Sequence, residues 1–245
     1  MAKSEYEYVR EQELDDRLPK FNWIVVRING CDFRRFSEIH GFEKPNDERA
    51  LNLMNSCAIS VLEQFPDIVF AYGFSDEYSK ILSLSLSFFT SVYVMKWRNF
   101  FPTQELRYPP SFDGKIICYP GLGGKLVRDY LSLRQYYCHI NNQKNTCLWM
   151  LVKSGKTESE AETSLEGTRE SEMNELLFQQ FGINYNSLAP MLRKGSSVFR
   201  DKVEEIVKLD ENGNPVKRTR KKIEVEHCDL TRKDFWREHP DTFPD

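Results

Sequence analysis

Two short apolar runs, each stopping at a polar tip, constrain this chain more than any other feature. The first, Trp23 to Gly30 (WIVVRING), ends on Asn29 and Gly30. The second, Ile68 to Tyr72, passes through Gly73 to Ser75, Asp76 and Glu77. β-Branched and aromatic residues bounded by glycine predict strands. Adjacent carboxylates at a strand end suit Mg²⁺, which binds through one or two carboxylates together with substrate phosphates. Side by side, two such tips would make a palm-type nucleotidyl-transfer site, with Asn29 where that chemistry calls for an anion. Read in isolation, Ser75-Asp76-Glu77 is equally an acidic hairpin turn.

A net charge of −3 over 245 residues excludes a protein that is basic all over. Any nucleic acid would be met by local patches. The six cysteines (Cys31, Cys57, Cys118, Cys138, Cys147, Cys228) include no C-x-x-C pair, and no secretory leader precedes them. They predict reduced thiols in small core positions rather than zinc ligands. The apolar-leaning run from Ile81 to Met95 is interrupted by serines and is too polar for a membrane span. The expectation is a soluble intracellular protein of the nucleus or cytoplasm, with no membrane partner.

Residues 1–22 predict a short amphipathic helix and a loop at Leu18-Pro19. Asn46 or Asp47 can cap a helix to about Phe65, with Leu51, Met54, Ala58, Val61 and Phe65 as its apolar stripe. A helix is expected from about Lys80 to Asn99, although Leu82 to Ser87 also alternates with period two and could form a strand. A short strand at Lys115–Tyr119 precedes a long polar helix over Val127–Trp149. In that helix His139 to Asn145 holds three asparagines and one histidine in seven residues, which local capping chemistry could explain. A charged helical pair follows over 154–181, then a turn at Gly195-Ser196-Ser197. Asp210 to Asn214 signals a hairpin between Val203–Lys208 and Ile223–Val225. Its return limb opens with five positive charges in six residues, Lys217 to Lys222, suited to phosphates or to guarding a solvated sheet edge. The predicted class is α+β: an antiparallel sheet with helices on one face over 1–133, then a helical and hairpin extension over 134–245.

The strings VVRING, FEKPNDERALNLMN, YGFSDEYS, YPPSFDGK, CHINNQKNT, GTRESEMNELLFQQFGINYN and RKGS, together with His227-Cys228-Asp229, resemble one family, the tRNA(His) guanylyltransferases. The resemblance covers nearly the whole chain and is nearest to plant and fungal members. It implies a polymerase-like palm, usually assembled as a homotetramer. The implied reaction adds a guanylate to the 5′ end of histidine tRNA, with GTP and ATP as substrates and two Mg²⁺ ions. Carried over by position, Asn29, the carbonyl of Gly30, and Asp76 would hold metal, supported by Ser75 and Glu77. The loop Gly30, Cys31, Asp32, Phe33 and Arg34 would lie along the nucleotide, with Lys44, Asn46 and Lys80 on its phosphates. His139 would serve the activation step, and Arg27 the electrostatics beneath the tip. Asn142, Arg193, Lys194, Lys217, Arg218 and Arg220 would face the tRNA.

The chain departs from the family pattern in three ways. Asparagine stands at 29 for aspartate. Arg34 and Met173 stand for histidine and lysine. A stretch normally present between Tyr78 and Ile81 is missing, which would remove a strand beside Ile68–Tyr72. A second reading follows from these changes: a catalytically weakened paralogue acting as a tRNA-binding or oligomer-forming subunit.

Overall fold

The computed structural model describes residues 19–73, 77–78, 82–121, 123–209, 215–240 and 242–243. Ser75, Asp76 and Lys80 lie outside the described residues, as do most of the expected N-terminal helix and the turn at 210–214. So do the side chains of Glu77 and Lys217.

The chain is α+β. The strands are β1 (Asn22–Gly30), β2 (Phe70–Gly73), β3 (Glu77–Tyr78), β4 (Phe112–Pro120), β5 (Ser196–Leu209) and β6 (Pro215–Glu226). The helices are α1 (Phe33–Ile39), α2 (Glu48–Gln64), α3 (Leu82–Phe100), α4 (Lys125–Lys153), α5 (Glu158–Ser164), α6 (Glu170–Phe181), α7 (Pro190–Lys194) and α8 (Lys233–Glu238). The strands form two antiparallel three-stranded sheets, ordered β3-β1-β4 and β2-β5-β6. β2 and β3 thus enter different sheets.

Helices cover both faces, which corrects the expectation of one. Along β1, Val26 and Ile28 pack with Leu53 and Met54 of α2 and Phe89 and Tyr93 of α3. Val25 points the other way, to Val127 and Leu131 of α4 and Phe235 of α8. Successive strand residues alternate faces, and a strand apolar on both must be covered twice. A third cluster joins α4 to α5 and α6 through Cys147, Leu165, Met173 and Leu177. Met173 is therefore core, not a phosphate donor.

The run Leu82–Ser87 is helix, not a replacement strand. Ser85, Phe89, Val92 and Tyr93 are buried at helical spacing. The Thr90 and Ser91 hydroxyls donate to the carbonyls of Leu86 and Ser87, both at 2.8 Å, so their polarity is absorbed inside α3. Asp47 caps α2, as expected, accepting from the N–H groups of Arg49 at 3.0 Å and Ala50 at 3.4 Å. Of the predicted turn at 195–197, only Gly195 turns, with φ +72°, while Ser196 and Ser197 open β5. The division drawn between 133 and 134 falls inside α4.

Candidate nucleotide and metal site

β1 carries the first tip into the middle of a row. Its Asn29 has Glu77 of β3 as Cα partner on one side and Asp113 of β4 on the other. Of the second predicted tip, Glu77 thus comes beside Asn29, whereas the strand expected to carry it, β2, pairs with β5 in the other sheet. Directly opposed residues share a face, so Asp113 is a carboxylate neighbour of Asn29 that the sequence reading missed; it became visible only once β4 was in register. Arg27, on the same face, donates Nε to Asn29 Oδ1 at 3.1 Å. Gly30 must be glycine here, because a Cβ would lie 2.5 Å from the Phe33 ring. That ring is fixed by stacking on Phe36 with centroids 5.2 Å apart. The Cys31 N–H is spent on the Ser111 carbonyl at 2.7 Å, and Asp32 turns the chain into α1 with φ +51°.

Beside this tip a cavity of about 400 Å³ opens between α1, the start of α2 and the middle of α4. It brings together Arg34, Lys44 and Asn46 from the predicted set, and Asn142 from across the chain. Arg134, Asn145 and Trp149 complete it, none of them foreseen. Their spacing is legible afterwards: 134, 138, 141, 145 and 149 follow one helical face. Asn145 Nδ2 donates to the Pro45 carbonyl at 3.1 Å, tying α4 to the loop that carries Lys44. Lys44 Nζ donates to Ser37 Oγ at 3.0 Å and lies 5.2 Å from the Trp149 ring centroid.

The cavity lining carries three cations, Arg34, Lys44 and Arg134, and three carboxylates, Glu43, Asp47 and Glu158. Burial pushes Lys44 below the ordinary lysine range, with Glu38 and Glu158 pulling back and Arg34 adding to the depression. Arg134 is lowered first by burial and then by the charge of Arg27. Cations that are desolvated and crowded by like charge are stabilised by an anion placed among them. Below them Asp47 is locked to Arg49 by Nε–Oδ1 at 3.0 Å and Nη2–Oδ2 at 2.7 Å, and also accepts from the Glu43 N–H at 3.0 Å. Burial alone would raise Asp47; the Arg49 and Glu43 hydrogen bonds outweigh it and hold the carboxyl below its usual range. A depressed carboxyl stabilises the fold above its unfolded pKa, and that contribution is lost as pH falls through the folded value. Asp47→Asn should therefore cost about 1–2 kcal/mol at neutral pH. It should also lose less stability than the parent on acidification below about pH 4, measured by urea unfolding across a pH series.

His139 does not reach the cavity. Its Nε2 faces Glu170 Oε1 at 3.1 Å and its ring meets Tyr185 edge-on at 5.4 Å, on the α6 side of α4. Asn142 is 2% exposed, with Nδ2 donating to Tyr185 Oη at 3.0 Å and to the Leu192 carbonyl at 2.5 Å. Asn142 and Asn145 of this helix are tertiary ties, not local caps. Arg193 Nε donates to the Leu188 carbonyl at 2.9 Å, and Lys194 Nζ to Asp229 Oδ2 at 2.7 Å. Arg218 and Arg220, by contrast, stand exposed on β6, the edge of its sheet.

For a divalent ion the arrangement offers hard oxygen donors: the Asn29 amide, the Gly30 carbonyl and the neighbouring carboxylate positions 77 and 113. Such donors fit Mg²⁺, though Oδ1 of Asn29 already accepts from Arg27. Among the described residues no group of three His, Cys, Asp or Glu side chains is poised to hold a metal.

An oxygen-donor strand tip beside a cavity lined by both cations and carboxylates, in an α+β fold, is the candidate site. The family model described as tRNAHis guanylyltransferase matches residues 6–82 and 78–120, and that of the Thg1 C terminal domain matches 125–232. The first model matches in two pieces that meet at 78–82, where the stretch is missing. The chain is 52% identical to tRNA(His) guanylyltransferase 1 of Arabidopsis thaliana over 261 aligned residues, covering 100% of this chain and 46% of that protein. It is 44% identical to the probable tRNA(His) guanylyltransferase of Homo sapiens, covering 98% and 88%. It spans about half the length of the two Arabidopsis relatives, 46% and 47%. The crystal structure of the Saccharomyces cerevisiae tRNA(His) guanylyltransferase superposes with a TM-score of 0.73 at 42% identity, over 80% of this chain and 93% of that one. A bacterial Thg1-like protein in complex with ATP, 18% identical, shares the fold with a TM-score of 0.68 over 93% of each chain. The chain belongs to the tRNA(His) guanylyltransferase family.

Proposed function

We propose that this chain adds a guanylate to the 5′ end of histidine tRNA, growing the RNA 3′-to-5′ after ATP-dependent activation of the 5′-phosphate. The observation that carries this reading is the cavity of about 400 Å³ lined by Arg34, Lys44 and Arg134, beside the Asn29 strand tip. Solved bacterial proteins of this fold are complexes with ATP and with GTP, the two nucleotides the reaction consumes.

In this reading the antiparallel strands around Asn29 form a palm. Lys44, Asn46, Arg34 and Lys80 take the triphosphate, and the loop from Gly30 to Arg34 runs along it. Asn29, the Gly30 carbonyl and Asp76 hold two Mg²⁺ ions, with Ser75 and Glu77 in support. Bound Mg²⁺ supplies a lowered pKa for the attacking hydroxyl and charge stabilisation for the entering and leaving oxygens. Arg27 orients the Asn29 amide. His139, braced by Glu170, is a positioning residue for the activation step. The region after 133 reaches the tRNA, through the RKGS segment and the exposed edge of β6. A homotetramer acting in the nucleus or cytoplasm completes the reading. Among the described residues no helix is long and apolar enough to cross a membrane.

The test is a Mg²⁺ titration with histidine tRNA, ATP and labelled GTP, scored for label at the RNA 5′ end. Label rising with metal supports the activity. No label, with tRNA still retained on a filter, overturns it and leaves a tRNA-binding protein. Replacing Lys217, Arg218 and Arg220 by alanine is expected to weaken tRNA binding roughly uniformly across sequences and to reduce the salt slope by about one per lost phosphate contact. An unaltered affinity across a salt series would mark the strand as a solvated edge.

A further inference from the structure

One ion pair at the rim of the cavity joins elements far apart in sequence. Arg34 of α1 donates through Nη2 to Glu158 Oε2 of α5, and through Nε to Glu38 Oε1 at 3.1 Å. Arg34 and Glu158 both line the cavity. Both carboxylates also act on Lys44, raising it against the effect of burial. The cations on this side of the cavity are therefore already balanced by two carboxylates.

Beyond its place in the acidic first turn of α5, Glu158 takes no part in the cap of that helix. The α5 cap is built by Thr157 and Glu160: Thr157 N–H donates to Glu160 Oε2 at 2.8 Å and Glu160 N–H to Thr157 Oγ1 at 3.3 Å. The Arg34–Glu158 pair is solvent-facing, with side chains 64% and 37% exposed. Pairs of that kind contribute little and exchange readily. A guanidinium fork engages one carboxylate or one phosphate face at a time, so a polyphosphate entering the cavity must compete with Glu158 for Arg34.

We propose that Glu158 is a built-in competitor for the polyphosphate site: it holds Arg34 until a triphosphate or pyrophosphate takes that place, and by doing so sets how tightly these anions bind. This inference rests on the triphosphate reading above and names its regulation. Once displaced, Glu158 remains near the bound anion, so its charge hastens departure of the product as well as opposing entry. Binding energy is given up in exchange for turnover.

The experiment measures binding of inorganic tripolyphosphate to the full chain by calorimetry, for the parent, Glu158→Gln, Arg34→Gln and the double variant. Glu158→Gln is expected to tighten binding roughly 3- to 10-fold. Arg34→Gln should weaken it, and adding Glu158→Gln on top of Arg34→Gln should give a clearly smaller gain than in the parent, the part owed to relief of charge alone. Unchanged affinity in Glu158→Gln overturns the inference, as does an equal gain in the Arg34→Gln background or failure of both parent and Glu158→Gln to bind. The same proteins run in the guanylate-transfer assay separate the two readings. No transfer, with tripolyphosphate bound more tightly by Glu158→Gln, removes the activity and leaves the competitor standing. Transfer with a Glu158→Gln affinity equal to the parent's removes the competitor alone.

Discussion

Asn29→Asp is expected to raise guanylate transfer by roughly 10²- to 10⁴-fold, because it returns a full charge to the proposed metal site. The surroundings are prepared for it. Arg27 Nε already donates to Oδ1 at 3.1 Å, and with a carboxylate that bond becomes charge-assisted and leaves the second oxygen for an ion. Glu77 and Asp113 flank the position in register, so the restored charge joins an existing row. The measurement is single-turnover label transfer at saturating Mg²⁺, with the metal midpoint followed alongside. Midpoint and rate should improve together. An unchanged rate would locate any defect in the segment around 78–82, where the two pieces of the family-model match overlap, rather than in the ligand.

Gln135→Leu should destabilise the fold by about 2–4 kcal/mol, since it strands the Cys228 carbonyl and the Leu230 N–H at about 1–3 kcal/mol each, less some relaxation, while Tyr72 Oη still donates to the Lys194 carbonyl at 3.0 Å. Gln135 is 1% exposed. Its Nε2 donates to the carbonyls of Lys194 at 2.8 Å and Cys228 at 2.9 Å, and its Oε1 accepts from the Leu230 N–H at 2.7 Å. One amide thus joins α4, the end of α7 and the segment leaving β6. Leucine matches its size, so the loss is of hydrogen bonds rather than packing. Urea unfolding reads the change directly. A shift under about 1 kcal/mol would mean that water replaces the side chain at the Cys228 carbonyl and the Leu230 N–H. The same amide helps to hold the RKGS segment in place, so the variant tests how far the proposed tRNA face depends on α4.

The local pieces were legible in the sequence. β-Branched runs ending at Gly30 and Gly73 became β1 and β2, Asp47 became a cap, and the apolar stripe from Leu51 to Val61 became the buried face of α2. Each of these depends on neighbours within a few residues, where backbone sterics and side-chain spacing act alone. Leu82–Ser87 was ambiguous for the same reason, because a period-two run of leucine and serine also fits a helix whose hydroxyls bond their own carbonyls. Packing of Leu82 and Leu86 against the core decided it.

The family resemblance named most of the site, yet it could not tell which way each side chain turns. Residues adjacent on α4 are about 100° apart around its axis. Cys138 therefore reaches the cavity while His139 meets Glu170, and Asn142 is drawn inside to Tyr185 and Leu192. The sequence by itself determined most of the elements, the Asp47 cap and the family. Only the tertiary structure decided the register that sets Asp113 beside Asn29, the meeting of Lys44 with Trp149, and the pairing of Arg34 with Glu158 across 124 residues. Spacing along a chain governs what forms locally, whereas contacts between distant elements depend on how whole faces pack, a quantity no single stretch of sequence contains.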